Sequence, residues 1–363
     1  MKKRKVTIFI ATRSNFGERD AEIFRELGYN VIVCSSKSLF YPSEIFRYLR
    51  GISKWFEWYK KLKSVDIFFA WWAISFDIVL LSKIFRKPCI IVAAGAEIER
   101  GELPREYPCY ENKSIFKKAI TNLTLKFADK VISVSKYAKD SADKIVRNPT
   151  NEVVYNSVDI NIFKPIRIEK KPYITTVCWI SKLRLNKKGL LPLLEAFSRI
   201  INKYPEYFLI YVGDEIESIG GKEIIKRRAE ELGILDKVIF MNFFKTAKDY
   251  VKFLNQCKIY VQYSWNETFG VAMCEAMACG IPVIASNRTA LPEILGDAGL
   301  IADRGSIEKG NIDDLVEKIE MLITDDHLCE KLSKKGIERV KNNFSKELRK
   351  QKLKKIVESM LNK

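Results

Sequence analysis

The sequence predicts an α/β protein made of two doubly wound parallel-sheet domains. Three observations lead there. Short, apolar, β-rich runs alternate with helical patterns along nearly the whole chain. The alternation restarts after NIFKPIRIEKKP (161–172), a polar stretch with two prolines that reads as a linker. The length, 363 residues, exceeds one ordinary core and suggests about two domains.

VTIFIA (6–11) reads as a fully buried strand. A loop containing Gly17, a helical stretch ending at Gly28 and the strand YNVIVCSS complete a βαβ unit. IFFAWWA, PCIIVAAG (88–95), KVISVS (130–135) and EVVYNS (152–157) continue the first domain, set at 1–166. The second domain, 173–344, carries YITTVCWIS (173–181), YFLIYVGD (207–214), KVIFMNFF (237–244), KIYVQYS (258–264) and IPVIAS (281–286). Helical patterns such as LLPLLEAFSRIINKY and EIIKRRAEELGI separate them, and the chain reads as helix from 313 onward. Ser345 is a candidate cap for a last basic helix, 345–363. Two Rossmann-like halves joined in this way would face a central cleft with the carboxyl ends of both sheets.

Composition narrows the function. Hydrophobic residues make up 47% and charged residues 30%, as in soluble globular proteins. The net charge is +18, and residues 1–165 hold 29 Lys and Arg against 18 Asp and Glu. Such an excess attracts nucleic acid, an anionic lipid surface or a phosphorylated small molecule; the plain alternative is a solvated lysine-rich surface. No nucleic-acid recognition motif accompanies the charge. The eight cysteines form no CxxC pair or metal spacing and read as small core residues in a reducing, cytoplasmic compartment. One histidine, His327, leaves no multi-histidine metal site. The start, MKKRKVTIFI, lacks the long apolar run of a signal peptide. The apolar stretch 67–85 is broken by Asp77 and reads as strand, turn and helix, since a spanning helix needs about 20 apolar residues. WFEWYKKLK (55–63) sets Trp55 and Trp58 beside lysines, which suits an anionic membrane surface; alternatively Trp55, Trp58, Trp71 and Trp72 pack in the core. A nicotinamide enzyme is disfavoured, because neither ATRSNFGERD nor VGDEIESIGG has GxGxxG spacing.

NETFGVAMCEAMACGIPVIAS (266–286) poses the central chemical question, because Glu275 sits inside an apolar helix. That helix should run from about Gly270 to Cys279, with Gly280 at the C′ position and Pro282 beyond. Asn266, Glu267 or Thr268 can cap it. Its first amides, at Phe269, Gly270 and Val271, form an anion site suited to a diphosphate. Glu275, deeper in, can accept from a ribose diol, and Glu267 from another hydroxylated ring. The plain alternative is a capping Glu267 and a Glu275 paired to a core cation.

Glu267 to Glu275 in ETFGVAMCE, followed by AMACGIPVIAS, resembles the donor motif of the family 4 retaining glycosyltransferases (glycosyltransferase group 1). VISVSKYAKD, VVYNSVDINIFKP, KKGLLPLLEAF, LPEILGDAGLIAD and the C-terminal NNFSKELRKQKLKKIV resemble that family's other segments in order. The resemblance implies the two-Rossmann GT-B fold, with a last helix crossing back to the first domain. It implies that Lys188 contacts the donor phosphates. Lys182 is chosen to substitute for the family's Gly-Arg pair, where this chain has Trp179 and Ile180. Lys182 and Arg184 read equally as surface residues. The family's histidine after the fourth strand is absent, with Ala94 and Gly95 in its place. Glu97 matches a frequent acidic residue and would orient the acceptor with Gly95, or be a loop-surface carboxylate. Gly17 would let backbone approach the transferring sugar, or simply make a turn.

The function so implied is metal-independent, retaining transfer of a hexose-type sugar from a nucleoside-diphosphate sugar to a hydroxyl of a glycan or lipid-linked acceptor. No cofactor, metal or nucleic acid is expected, and the setting is the cytoplasm or the inner face of its membrane. The alternatives are a catalytically impaired sugar-nucleotide-binding protein and a nucleotide-sugar epimerase.

Overall fold

A computed structural model describes residues 5–12, 14–34, 59–100, 103–107, 109–215 and 220–362. It divides into two compact units, 1–155 with 347–363, and 156–346. Trp55 and Trp58, on which the membrane reading of 55–63 rests, lie outside the described residues.

The first unit runs β1 (Thr7–Ala11), α1 (Asn15–Glu26), β2 (Asn30–Cys34), β3 (Ile67–Trp71), α2 (Phe76–Ile84), β4 (Cys89–Ala93), α3 (Ile115–Phe127), β5 (Lys130–Ser133), α4 (Lys136–Ile145) and β6 (Glu152–Val153). Its sheet has the order β2-β1-β3-β4-β5-β6, with every pairing parallel. Helices cover both faces of such a sheet, so the strands are continuous apolar runs: IFFAW and CIIVA are buried throughout. Segment 67–85 is β3, a turn and α2, and no described helix is long and apolar enough to cross a membrane. Gly17 lies inside the first turn of α1 rather than in the preceding loop.

The second unit runs β7 (Tyr173–Val177), α5 (Arg184–Lys187), α6 (Leu190–Ile201), β8 (Phe208–Val212), α7 (Gly221–Glu231), β9 (Val238–Met241), α8 (Ala247–Gln256), β10 (Ile259–Gln262), α9 (Val271–Ala278), β11 (Val283–Ser286), α10 (Leu291–Leu295), β12 (Leu300–Ala302), α11 (Ile312–Thr324) and α12 (Asp326–Asn343). The order β12-β11-β10-β7-β8-β9 is the arrangement of dinucleotide-binding domains. The edge strand β12, only three residues and half-buried, is absent from the sequence-derived strands. In each sheet the connections diverge at one point, between β1 and β3 in the first and between β7 and β10 in the second. Loops leaving the carboxyl ends there part and leave room for a ligand.

Residues 156–166, grouped with the first domain on sequence grounds, lie with the second unit. Val158 bridges to Ser345, donating to the Phe344 carbonyl (2.8 Å) and accepting from the Lys346 amide (3.0 Å). Buried Asn255 then holds the supposed linker, accepting from the Ile166 amide (2.9 Å) and donating to the Lys164 carbonyl (3.1 Å). Matching these backbone groups secures a segment that its polarity marks as a tether.

The last helix, α13 (Lys346–Leu361), belongs to the first unit and buries Leu353, Ile356 and Val357 there. Its anchor is Arg349, which donates from Nε and Nη2 to the two oxygens of Asp20, both at 2.7 Å. Nη1 reaches the Val154 and Tyr155 carbonyls at 3.0 and 2.8 Å, and the Trp71 indole donates to Asp20 at 2.9 Å. The two charged side chains are 3% and 1% exposed, so each polar atom must be satisfied inside the protein. Asp20→Ala strands a buried guanidinium, and a loss of about 3–5 kcal/mol is expected. The check is a lower urea midpoint for the variant, with α13 amides exchanging hydrogen faster.

Candidate functional site

In the second unit the loops after β7 and β10 meet at the switch point. Past β7 the chain keeps pairing with the β8 edge: the Cys178 amide donates to Val212 and the Ile180 amide to Asp214, both at 3.0 Å. This buries Ile180 and leaves Trp179 46% exposed, edge-on to Phe243 with ring centroids 4.8 Å apart. The chain then turns through α5 to Lys188 and Gly189. Gly189 has φ +70, and a Cβ there would stand 2.1 Å from the Tyr263 carbonyl oxygen. Only glycine permits this approach. A further bond joins the two loops, from the Trp265 amide to the Lys187 carbonyl (2.7 Å), and Arg304, just past β12, ties its Nη2 to the Asn186 carbonyl (2.8 Å).

This stitching brings Lys188 and Glu267 together. The Lys188 ammonium donates to Glu267 Oε1 at 2.5 Å, with side-chain exposures of 15% and 17%. The same oxygen accepts from Gln262 Nε2 (2.9 Å) and Ser264 Oγ (3.1 Å). Gln262 is itself held by the Tyr260 hydroxyl at 2.8 Å. The Glu267 amide donates to Thr289 Oγ1 at 2.9 Å. Burial pushes the nearby Cys178 thiol up to about 11; of its charged neighbours, Lys188 lowers it and Glu267 raises it.

The helix expected at 270–279 is α9, Val271–Ala278. Its C-terminus is as expected: the Gly280 amide donates to Met277 and the Ile281 amide to Ala276, with Gly280 at φ +73. Its N-terminus is not. The N-cap position falls on Gly270, at φ +95, and not on Asn266, Glu267 or Thr268. The amides of the first turn, at Gly270 and Val271, point out of the helix start. Phe269 buries its ring against Phe344, 5.4 Å away. Glu275, one turn further in, is 6% exposed. Lys182 is exposed.

Gly17, Gly95 and Glu97 stand in the first unit. A Cβ at Gly17 would meet Thr12 Oγ1 at 2.1 Å, so this glycine seats α1 against the end of β1. Gly95 has φ +125, and a Cβ there would lie 2.7 Å from the Trp72 ring; Trp72 itself has φ +80, a strained value for a tryptophan. Glu97 is no surface carboxylate. It is 5% exposed, and its Oε1 accepts from the Ala94 amide (3.1 Å) and the Ala73 amide (3.3 Å). Burial raises its pKa, against the pull of those amides and of Lys113.

Sequence reasoning missed Gln262, Ser264 and Arg304. Gln262 and Ser264 follow the alternation of β10 into its loop, a pattern that marks one shared face. Arg304 reads as a loop arginine, yet it is wholly buried over the Tyr263 ring at 4.7 Å. Nothing local signals that. Among the described residues no group of three or more His, Cys, Asp or Glu is placed to hold a metal ion.

Comparison with known proteins bears on the family and the fold. Residues 159–339 match the family described as glycosyl transferases group 1. An uncharacterised glycosyltransferase of Methanocaldococcus jannaschii is 30% identical over 235 residues, 63% of this chain and 58% of that protein. The chain thus matches less than two thirds of that relative's length. Sucrose-phosphate synthase from Thermosynechococcus elongatus has a similar structure, with a TM-score of 0.78 at 17% identity over 99% of this chain and 100% of that one. So has the Anabaena protein HepE, solved with UDP and glucose, with a TM-score of 0.76 at 17% identity over 98% and 100% of the two chains. At such identities the likeness is one of fold.

The Glu97 environment has a pH signature. A free glutamate ionises near ~4.3. In the fold its pKa is higher, so as pH rises the unfolded chain loses this proton first and stability falls across that window. Glu97→Gln, whose side-chain oxygen can still accept from both amides, is expected to raise the unfolding midpoint at neutral pH. The gap should close as pH falls below the ordinary glutamate value. Denaturant titrations at paired pH values measure it, and a gap independent of pH would refute the assignment.

Proposed function

We propose that this chain, which belongs to the glycosyl transferases group 1 family through residues 159–339, is a retaining glycosyltransferase that moves a hexose-type sugar from a nucleoside-diphosphate sugar to a hydroxyl of a glycan or lipid-linked acceptor. One observation carries the reading. Lys188 and Glu267 meet at the switch point of a dinucleotide-type sheet, just ahead of the α9 N-cap at Gly270, with Glu275 one helical turn deeper. That arrangement supports a bound diphosphate at the Gly270 and Val271 amides. Glu275 is assigned to the ribose hydroxyls, and Glu267 to the sugar.

The chemistry follows from charge. The acceptor oxygen bonds to the anomeric carbon on the face from which the bond to the diphosphate oxygen breaks. The acceptor's proton passes to that departing oxygen, and configuration is retained. Negative charge grows on the leaving diphosphate, and the Lys188 ammonium and the helix amides stabilise it without reorganising. The Lys188–Glu267 contact keeps the ammonium in place before the donor arrives. Lys182, exposed on the same loop, supplies a second cation. Gly95 and Glu97 are assigned to the acceptor side, and Gly17 to the approach of the sugar. The reaction so proposed is metal-independent, with the Lys188 ammonium and the helix amides in the place a divalent cation would take. Eight free thiols support a reducing, cytoplasmic setting.

Glu275→Gln is expected to cut turnover about 100- to 1,000-fold while the thermal midpoint stays near that of the parent. Lys188→Ala should lose a similar factor, and the double variant Lys188→Ala/Glu267→Gln shows whether the loss reflects a stranded carboxylate. Wild-type rates in both single variants would refute the roles. A chelator should leave the rate unchanged, and a strict need for Mg²⁺ would contradict the metal-free account. The substitution of Trp179 and Ile180 for the family's Gly-Arg favours a second reading, a pure sugar-nucleotide binder, which would release no free nucleoside diphosphate over long incubation.

A further inference from the structure

Helix α3 of the first unit is turned inside out. An ordinary surface helix buries its apolar stripe and shows its polar one. This helix buries Thr121, Thr124 and Leu125, and leaves Ile115 88%, Phe116 74% and Phe127 46% exposed. The buried threonines need no outside partner, because Thr121 Oγ1 donates to the Lys117 carbonyl (3.2 Å) and Thr124 Oγ1 to the Ile120 carbonyl (2.7 Å). Phe116, Leu123 and Phe127 share one outward stripe, at helical spacing of seven and four residues. The apolar surface continues onto α2, which packs beside α3 and exposes Ile84 to 65%.

Lysines outnumber carboxylates around this surface: α2 carries Asp77 and Lys83, the latter paired with Asp129 at 2.6 Å. Helix α3, IFKKAITNLTLKF, holds three lysines and no carboxylate. Lys126 lies over the Phe127 ring at 5.6 Å, its stem along the apolar face and its ammonium at the rim. Protein–protein interfaces are depleted in lysine, whereas exposed aromatic and aliphatic side chains interleaved with lysines match a layer of anionic headgroups over hydrocarbon. We propose that the α2–α3 face of the first unit docks on an anionic lipid bilayer, with Ile115, Phe116 and Phe127 entering the acyl boundary and Lys117 and Lys126 at the headgroups. This inference needs no donor or acceptor and stands apart from the sugar-transfer reading. It also places the membrane contact on residues other than Trp55 and Trp58.

The full chain is mixed with vesicles of phosphatidylcholine alone, or of phosphatidylcholine with phosphatidylglycerol, and bound protein is measured by flotation. Binding is expected with the anionic vesicles and should fall as salt shortens the screening length from about 8 Å to about 3 Å. Phe116→Ser/Phe127→Ser should weaken partitioning at least about tenfold, and Lys117→Glu should weaken it on anionic vesicles only. Because these side chains are exposed, the melting curves of the variants should overlay the parent, and Ile115→Ser gives a third independent check. No binding by the parent to either vesicle overturns the proposal, as does binding that the serine substitutions leave unchanged. A parent that self-associates, and becomes monomeric when Phe116 and Phe127 are replaced, also overturns it and assigns the face to a second copy.

Discussion

The candidate site depends on a single topological constraint, the divergence of connections between β7 and β10. Neighbouring parallel strands whose chains leave in opposite directions cannot cover their own carboxyl ends. The crest so opened must be furnished by loops, and loops hold catalytic geometry only where something rigid ties them. Here the tie is backbone to backbone. The missing side chain of Gly189 lets one loop touch the Tyr263 carbonyl of the other, and Trp265 and Arg304 lock the contact. Lys188 meets Glu267 because their main chains have nowhere else to go.

Three carboxylates show three ways of keeping an acid away from water. Asp20 is bound on both oxygens by a guanidinium and an indole, which makes it an anchor for α13. Glu97 has amides in place of a cation in hydrogen-bond contact, and burial lifts its pKa. Glu267 gathers an ammonium, an amide and a hydroxyl on one oxygen while staying partly open to solvent. Asp20 behaves as structure. The other two stand at strand carboxyl ends, where a ligand can compete for their partners.

The fold was legible because it obeys local rules. Strands buried on both faces must be continuous apolar runs, and eleven of the twelve in the sheets fall within runs such as VTIFIA, IFFAWWA and IPVIAS; β12 was too short to stand out, and β6 covers only two residues of its run. The end of α9 was readable from Gly280 and Pro282. Its start was not: the N-cap position is taken by a left-handed Gly270 in place of the polar side chain that the sequence suggested. The stretch 161–166 looked like a free tether, since polarity reports solvation and says nothing of Asn255, some 90 residues away.

By itself the sequence determined the alternation of strands and helices, the restart that makes two domains, and the order in which glutamates, glycines and lysines fall on one donor-like segment. These are properties of neighbours within a few turns of chain, where sterics and periodicity act. Tertiary structure alone decided which charges meet: Lys188 with Glu267 across 79 residues, and Asp20 with Arg349 across 329. It also decided that Glu97 is buried and that α3 faces solvent with its apolar stripe. Burial and pairing are set by whichever distant segment closes over a residue, and no local pattern carries that information.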